Sequence, residues 1–539
     1  LVKRPGIASI PGPAVLLAAA IAWLLGAGRP VTITLNGWLP FVANGAFVLR
    51  VDSLAALMLG ILGIVSLCVY VYTLGYMAED PGIRRFYAFL DFFVASMALL
   101  VTAGTLAVLL IGWTGVGMAS YFLISFWRDK AGTLNAGLQA IAANAVGDGA
   151  LILAAVLVPA GCGDLTTLQS SACTQGLGGA ALIGALLIVA ASAKSAQGPL
   201  YFWLPSAMAG PTPISALIHA ATMVAAGVYL LVRTHALLAL TPALLLAIAI
   251  LGVVTALFGA LMSLRQSNLK KGLAYSTVSQ LGYMFAGVGF SAPFAAFFHL
   301  GSQAFFKALL FLSAGVVIHA IGGDEELSAM GGLARSLPVA RWTFLIGSVA
   351  LFGFPLTSGA FSKDSILEAG MGTFPLLGWL LVFGVLLSGL YIGRLYFATF
   401  HGSGHNGRHV HATDRSMTWA LVPLAIGALL FGYTQWPAGG LGHLLGPVLG
   451  NIEASPLVTG QGLLAALLGL VGFFGAGWWQ IRQAAAEAKP APLGWVDSAA
   501  SGSLVLANWV AGIQNGRLGR YVLVMVLGFA AILFAGLKA

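Results

Sequence analysis

The sequence predicts an all-α, polytopic membrane protein that crosses the bilayer about fourteen times. Of its 539 residues, 59% are hydrophobic and only 8% are charged, and the mean hydropathy is +0.96. Soluble domains carry roughly 25% charged residues, so we expect most of this chain to lie within a lipid bilayer. Apolar stretches of about 20 residues, the length of a membrane-spanning helix, recur throughout. Because hydrocarbon cannot satisfy free backbone groups, these stretches predict helices rather than strands.

Basic residues form short clusters between the apolar stretches. The net charge of +9 includes pairs such as Arg84 with Arg85 and Lys270 with Lys271, which we expect in loops. Such clusters are typical of loops that stay on the cytoplasmic side of a membrane. We therefore expect a multi-pass protein of the bacterial inner (plasma) membrane, surrounded by the lipid bilayer and binding no nucleic acid.

One polar stretch is rich in histidine. It contains His401, His405, His409 and His411 among glycines, without the regular spacing of metal ligands. We expect a solvated loop here, and we expect neither a metal nor a cofactor elsewhere in the chain.

Two apolar stretches combine proline and glycine with a lysine. The first runs from Lys194 to Pro213 and the second from Pro355 to Asp364. Membrane depth tolerates interrupted backbone only where it lines a protein cavity or water. Paired interrupted helices are typical of ion pathways. Simple helix kinks are the alternative, and the lysine in each interruption favours a pathway.

Few ionisable residues fall inside the apolar stretches, where each costs about 2.5–3.5 kcal/mol. They are Asp148, Lys194, His219, His299, Lys307, Lys363 and Asp364. A buried lysine whose carboxylate partner can approach or withdraw stores a proton reversibly, and histidine, which titrates near neutral pH, can bridge two such stores. Snorkelling or packing would explain any one of these residues alone, but together they predict a proton relay.

Long motifs surround these residues. They are Lys194–Met223, Leu269–Met284, His299–Leu312 and Phe361–Leu367. They resemble the NuoL/MrpA antiporter-like family of proton-conducting membrane transporters, and within it the NuoL type of respiratory complex I. The resemblance extends from about residue 51 to residue 401 and resumes at 515–521.

The resemblance implies two inverted five-helix repeats, each with one discontinuous helix, around a hydrophilic axis. The expected division is N-terminal membrane helices at 1–80, antiporter-like repeats at 81–235 and 236–400, peripheral C-terminal helices at 401–481, and a surface helix with a final transmembrane helix at 482–539. It implies roles for most of the buried residues: a first-half proton store (Lys194), a central relay (His219, His299, Lys307) and an exit group (Lys363 with Asp364). It also implies that electrons are transferred in partner subunits, and that the chain assembles with other membrane subunits of a multi-subunit complex.

Four positions depart from the family pattern. Thr114 stands where the family has a glutamate that pairs with the first-half lysine, Ala145 where it often has an arginine, Ser206 where it has an aspartate, and Gln303 where it has a second histidine. Because a threonine cannot carry charge, Asp148 is the counter-charge expected for Lys194.

The sequence therefore predicts a proton-translocating, antiporter-like subunit of a complex I-type NADH-quinone oxidoreductase or a related redox-driven complex, with no catalytic site of its own. Two alternatives stay open. One is the membrane proton-channel partner of an inorganic-carbon (CO2 or bicarbonate) accumulation complex. The other is a structural subunit whose channel has decayed, which the loss of charge at Thr114 favours and the retained lysines oppose. Sodium is an alternative to the proton as the ion moved.

Overall fold

A computed structural model describes residues 5–26, 28–35, 47–158, 162–165, 168, 180–401, 410–436, 440–450 and 459–486. Two strands and twenty helices make up its regular α and β structure within those ranges. The N-terminal elements and the first group of helices are α1 Pro11–Leu25, β1 Val31–Leu35, β2 Phe47–Val51, α2 Ser53–Tyr76, α3 Ile83–Val101, α4 Leu106–Ile124, α5 Thr133–Leu157, α6 Ala180–Lys194, α7 Trp203–Ser206, α8 Thr212–Ala220, α9 Met223–Arg233 and α10 His235–Ala239. The remaining helices are α11 Pro242–Arg265, α12 Leu269–Gly289, α13 Pro293–Ala320, α14 Pro338–Phe352, α15 Ser358–Thr373, α16 Pro375–Phe400, α17 Arg415–Trp419, α18 Leu421–Leu430, α19 Leu441–Leu449 and α20 Gly460–Ala486.

The predicted polytopic helical fold is confirmed. Ten helical segments of the described chain are long and apolar enough to cross a membrane. Four further segments are candidate crossings by their length and position in the bundle: α3, α12, and two interrupted helices, α6 with α7 and α14 with α15. At about 1.5 Å per residue, the 19 residues of α3 and the 21 residues of α12 span most of a hydrocarbon core. Their charged or polar residues lower their hydropathy.

A short β-hairpin corrects the expectation of helices alone. Strands β1 and β2 pair antiparallel, with Val31 opposite Val51 and Leu35 opposite Phe47. The segment Val31–Leu35 is rich in β-branched residues and alternates apolar with polar side chains, a strand pattern, and five residues are too few to cross a membrane. The hairpin therefore lies at one end of the helices rather than within the bilayer.

The two ends of the bundle differ in composition. The hairpin face contains β1, β2 and the contacts of Leu49 with Ala103 and of Thr105 with Asp164. The basic face lies at the opposite helix ends, where Asn268 pairs with Glu326. Exposed cations on the basic face include Arg84, Arg128, Lys130, Lys271 and Arg335.

The direction of the helices reverses between the two halves of the bundle. Helix α3 begins on the basic face, and five crossings later α11 begins on the hairpin face. The interrupted helices follow the same inversion, because α6 runs inward from the hairpin face and α14 runs inward from the basic face. Each then stops within the bundle, at Lys194 and at Phe352.

Helix α13 and the α8–α9 pair form the centre of the bundle. Both spans are completely buried inside the protein, and α12, beside them, buries the polar residues Ser276, Thr277, Ser279 and Gln280. Surrounding helices expose apolar side chains outward, as lipid requires. The polar residues thus lie inside and the apolar surface outside.

Several sequence predictions fall outside the described residues. These are His405 and His409 of the histidine-rich stretch, the motif at 515–521, and the segment 487–539. Residues 482–486 continue helix α20.

Candidate functional site

The first helix break places a lysine inside the bundle. Helix α6 ends at Lys194, and Ala196 adopts a left-handed backbone conformation with φ of 50°. The indole Nε1 of Trp203 donates to the carbonyl oxygen of Ala193 at 3.0 Å, and the Ser195 hydroxyl donates to the carbonyl of Val224 at 2.8 Å. A helix end leaves free carbonyl groups that need such partners. The break is therefore a helix end stabilised by specific side-chain hydrogen bonds, and not a simple kink.

Lys194 forms a loose ion pair with Asp148 of α5. Its side chain is fully buried, and its Nζ lies 3.7 Å from Asp148 Oδ1, whose side chain is 16% exposed. Neither atom has a hydrogen-bond partner among the described residues. The amine also lies 5.3 Å from the centre of the Trp113 ring and packs against Gly117. The pair is close enough to interact strongly and has no hydrogen bond to lock it.

His219 and Lys307 meet at the centre of the bundle. Helix α8 ends one residue after His219, and the Thr222 hydroxyl donates to the Leu217 carbonyl across this second interruption. Both His219 ring nitrogens lack partners in the part of the chain that the structure describes. The Lys307 Nζ donates to the Ser276 hydroxyl at 2.5 Å and lies close enough to His219 to interact with it electrostatically.

His299 continues the line two helical turns from Lys307. Its Nδ1 lies 2.9 Å from the Ser362 hydroxyl, and its Nε2 lies 3.2 Å from the Gln280 amide oxygen. Both lysines, Lys307 and Lys363, are within electrostatic range of the ring. His299 therefore connects the central lysine with the second broken helix.

The second break positions Lys363. Helix α14 ends at Phe352, Gly353 and Leu356 adopt left-handed φ values of 90° and 68°, and α15 begins at Ser358. Lys363 is only 2% exposed, and its Nζ donates to the Leu351 carbonyl at 2.7 Å. The lysine thus satisfies a carbonyl that the broken helix leaves free.

Asp364 points in a different direction from Lys363. Successive helical residues are about 100° apart, and the Asp364 carboxylate packs directly on Gly462 of α20 while the Lys363 amine lies 4.9 Å from the Tyr283 ring. Asp364 lines a cavity of about 20 Å³ together with Leu356 and Thr459, which has room for about one water molecule.

A larger cavity opens on the basic face below the first break. Its volume is about 670 Å³. The lining includes Tyr201, Phe202 and Ser206, which follow the break, together with Lys130 and Lys271. We call it the basic-face vestibule. The five buried cationic or titratable side chains between the two breaks, Lys194, His219, Lys307, His299 and Lys363, are called the ionisable axis.

Comparison with protein families identifies this architecture. Residues 103–388 match the family described as NADH:quinone oxidoreductase/Mrp antiporter, TM. The chain belongs to this antiporter family. Residues 38–87 also match the family described as NADH-Ubiquinone oxidoreductase (complex I), chain 5 N-terminus. The resemblance inferred from the sequence motifs is therefore confirmed.

Curated relatives agree with this assignment. The chain is 42% identical over 429 residues to NADH-quinone oxidoreductase subunit L of Mycobacterium tuberculosis, an alignment covering 77% of this chain and 68% of the relative. It is 42% identical over 395 residues to NADH-ubiquinone oxidoreductase chain 5 of Metridium senile, covering 72% and 66%. The chain thus spans about two thirds of these relatives.

Two solved structures share the fold. One is the Mrp complex of a Dietzia species, with a TM-score of 0.79 and 27% identity over 99% of this chain and 60% of the other. The other is the membrane-bound sulfane sulfur reductase, an archaeal respiratory membrane complex, with a TM-score of 0.68 and 19% identity over 88% and 93%. The similarity to the sulfane sulfur reductase complex shows a shared fold and nothing more.

Two of the positions that the resemblance predicts to depart from the family pattern lie away from the axis. Thr114 is exposed on the outer surface of α4, whereas its neighbour Trp113 is buried beside Lys194. Ser206 lines the basic-face vestibule, and its hydroxyl donates to the Phe202 carbonyl. Gln303 is buried on α13, with its amide oxygen unpartnered among described residues.

The expectation that Lys270 and Lys271 lie in a loop is wrong, because both belong to the first turn of α12 and Lys270 is buried. Its side chain is 2% exposed, and its Nζ lies 2.7 Å from Glu325 and 3.1 Å from the Gly210 carbonyl oxygen. Only Lys271 is exposed. An i, i+1 pair on a helix faces different directions, which is the signal that distinguishes the two. Lys270 joins the end of the first broken helix to the second half.

A second ion pair was not predicted from the sequence. Asp52 caps α2 and receives two hydrogen bonds from the Arg233 guanidinium, at 2.6 and 3.0 Å. The guanidinium also donates to the Tyr229 hydroxyl. Burial acts to raise the pKa of the Asp52 carboxyl, but the Arg233 charge outweighs it and holds the pKa below its ordinary value. Asp52 therefore ties α2 to α9 on the hairpin face as a carboxylate.

Proposed function

We propose that the chain is the proton-translocating subunit of a complex I-type NADH-quinone oxidoreductase or a related redox-driven complex. The observation that carries the proposal is the ionisable axis, which runs through the buried centre between two helix breaks. Each such side chain costs about 2.5–3.5 kcal/mol on the lenient insertion scale. Five of them buried along the centre of one bundle are too costly for packing alone.

The axis has the properties that proton transfer requires. Burial disfavours the ammonium form of a lysine and a nearby carboxylate favours it, so Lys194 beside Asp148 can hold or release a proton as the pair closes or opens. Their 3.7 Å separation, without a hydrogen bond, leaves the pair free to change. Both nitrogens of His219 are unpartnered in the described chain, and buried polar groups of this kind usually bind ordered water. Water would join His219 to its neighbours.

Access to the axis comes from opposite ends. The basic-face vestibule reaches the segment that follows Lys194, and the small cavity beside Asp364 opens on the side of α15 that meets α20. Protons would be taken up through the vestibule, stored on Lys194, passed through His219, Lys307 and His299 to Lys363, and released past Asp364.

The charge distribution supports one orientation in the membrane. Exposed cations cluster on the basic face, and loops rich in lysine and arginine stay in the cytoplasm. We assign the basic face to the cytoplasm and the hairpin face to the outside of a bacterial inner membrane. Proton uptake would then be cytoplasmic, which is the direction of an outward pump.

The test uses the protein purified with its partners in a mild detergent. Mass spectrometry would identify the co-purifying chains, and the assembly would be reconstituted into liposomes containing a pH-sensitive dye. We expect quinone- and iron–sulfur-bearing partner subunits, and lumen acidification driven by NADH and abolished by an uncoupler. A single large soluble partner would favour the carbon-accumulation alternative. An intact redox assembly that reduces quinone without acidifying the lumen would favour a decayed channel.

A further inference from the structure

A line of four hydrogen-bonding side chains crosses the second half of the bundle. It runs from Tyr391 through Gln280 and His299 to Ser362, and all four are fully buried. The Gln280 Nε2 donates to the Tyr391 hydroxyl at 3.0 Å, and its Oε1 lies 3.2 Å from His299 Nε2. The Ser362 hydroxyl lies 2.9 Å from His299 Nδ1. The line ends one residue before Lys363.

Gln280 fixes which nitrogen of His299 carries the permanent hydrogen. An amide oxygen only accepts hydrogen bonds, so Nε2 of the ring must donate to Gln280. In the neutral ring Nδ1 is then the bare nitrogen, and it faces Ser362. A proton that reaches His299 must therefore bind at Nδ1.

The Ser362 hydroxyl has one hydrogen and three acceptors within reach. They are His299 Nδ1, the Ser358 carbonyl at 3.0 Å and the more distant Gly359 carbonyl at 3.4 Å. When His299 is neutral, the hydroxyl donates to Nδ1. The Ser358 carbonyl still accepts from the Ser302 hydroxyl at 3.1 Å, so the turn leaves no buried carbonyl without a partner. When Nδ1 carries a proton, it donates to Ser362 and the hydroxyl turns back to Ser358.

We propose that Ser362 is a positioning residue of the relay, whose hydroxyl turns between His299 Nδ1 and the Ser358 carbonyl as His299 gains and loses its proton. This inference rests on the proposed function. Ser362 does not pass the proton onward, because the other acceptors within reach of its hydroxyl are backbone carbonyls. The hydroxyl lets both ring nitrogens of His299 keep a hydrogen-bond partner whether the ring is neutral or charged. The ring nitrogens of His219 have no such partners among the described residues.

The test compares three variants of the full assembly. Ser362→Ala removes the hydroxyl, and Ser362→Thr restores it. Ser358→Ala is the matched control, because its hydroxyl donates to the Ala428 carbonyl at 2.7 Å and its own carbonyl is kept. Hydrogen bonds to a charged group are worth roughly 1 kcal/mol more than neutral ones, so Ser362→Ala should move the pH profile of translocation about one unit toward acid. The other two variants should keep the wild-type profile.

A second readout does not depend on transport. Nitrogen-15 NMR of histidine-labelled protein in lipid, with His299→Asn to identify the signal, reports which ring nitrogen carries hydrogen. We expect the Nε2–H form in both the wild type and Ser362→Ala, because Gln280 is present in both. The Nδ1 signal should shift in Ser362→Ala, because the bare nitrogen loses the hydrogen bond from the Ser362 hydroxyl. An unchanged profile together with an unchanged Nδ1 signal in Ser362→Ala would overturn the proposal, as would the same acid shift in Ser358→Ala. If the wild-type assembly moves no protons, the proposed function fails, and the NMR result still decides the role of Ser362.

Discussion

The ion pair between Lys194 and Asp148 gives the sharpest prediction. Replacing Asp148 with asparagine keeps the shape of the side chain and removes its charge. At 3.7 Å and an effective dielectric constant of about 20, the attraction is worth about 4 kcal/mol. This is an upper value, because Asp148 is 16% exposed. Without it, the balance between ammonium and neutral amine at Lys194 moves toward the amine by up to about a thousandfold.

The protein should remain folded, since a neutral amine avoids the cost of an unpaired buried charge. Proton translocation should fall at least tenfold, because Lys194 can no longer be reloaded near neutral pH. The assay is lumen acidification by the reconstituted assembly, with thermal denaturation to check folding. Asp129→Asn is the matched control, because Asp129 is exposed on the basic face outside the axis. Wild-type translocation in Asp148→Asn would refute the counter-charge role of Asp148.

Three further predictions follow from the site. Lys363→Ala should abolish most conduction, since it removes the axis residue at the second break; a dye assay that finds more than half of the wild-type rate contradicts this. Thr114→Ala should change the rate less than twofold because Thr114 is exposed, and a tenfold loss would place it in the pathway. Asp52→Asn should destabilise the fold by about 3–5 kcal/mol, because the buried Arg233 guanidinium loses its carboxylate partner. Thermal denaturation should detect that loss of stability. The double variant Asp52→Leu with Arg233→Met should recover most of it, because it removes both charges; no recovery would show that the loss arises at Asp52 alone.

Much of the fold was predictable because lipid imposes strong constraints on sequence. Long apolar stretches, rare internal charges and two interruptions with proline, glycine and lysine predicted the membrane helices and both breaks. The hairpin was missed because five-residue strands give a weak signal beside helices of about 20 residues.

The axis residues and the pairing of Lys194 with Asp148 were predictable, but the ion pairs outside the axis were not. Asp52 and Arg233 are 181 positions apart, and nothing local in the sequence marks either as paired. The burial of Lys270 beside the exposed Lys271 depends on which side of α12 meets Gly210 and Glu325. The outward direction of Thr114 likewise follows from the packing of α4, which leaves Trp113 rather than Thr114 facing Lys194.

Lys307 offers the most direct test of proton transfer along the axis, because it lies at the centre and is fully buried. The measurement is the initial rate of lumen acidification by reconstituted Lys307→Ala, compared with Arg84→Ala, which removes an exposed cation away from the axis and the vestibule. The proposed relay predicts at most about a tenth of the wild-type rate for Lys307→Ala, because the variant removes the protonatable group that interacts with both His219 and His299. It predicts an unchanged rate for Arg84→Ala. A fully assembled Lys307→Ala protein that translocates protons at the wild-type rate would contradict the relay.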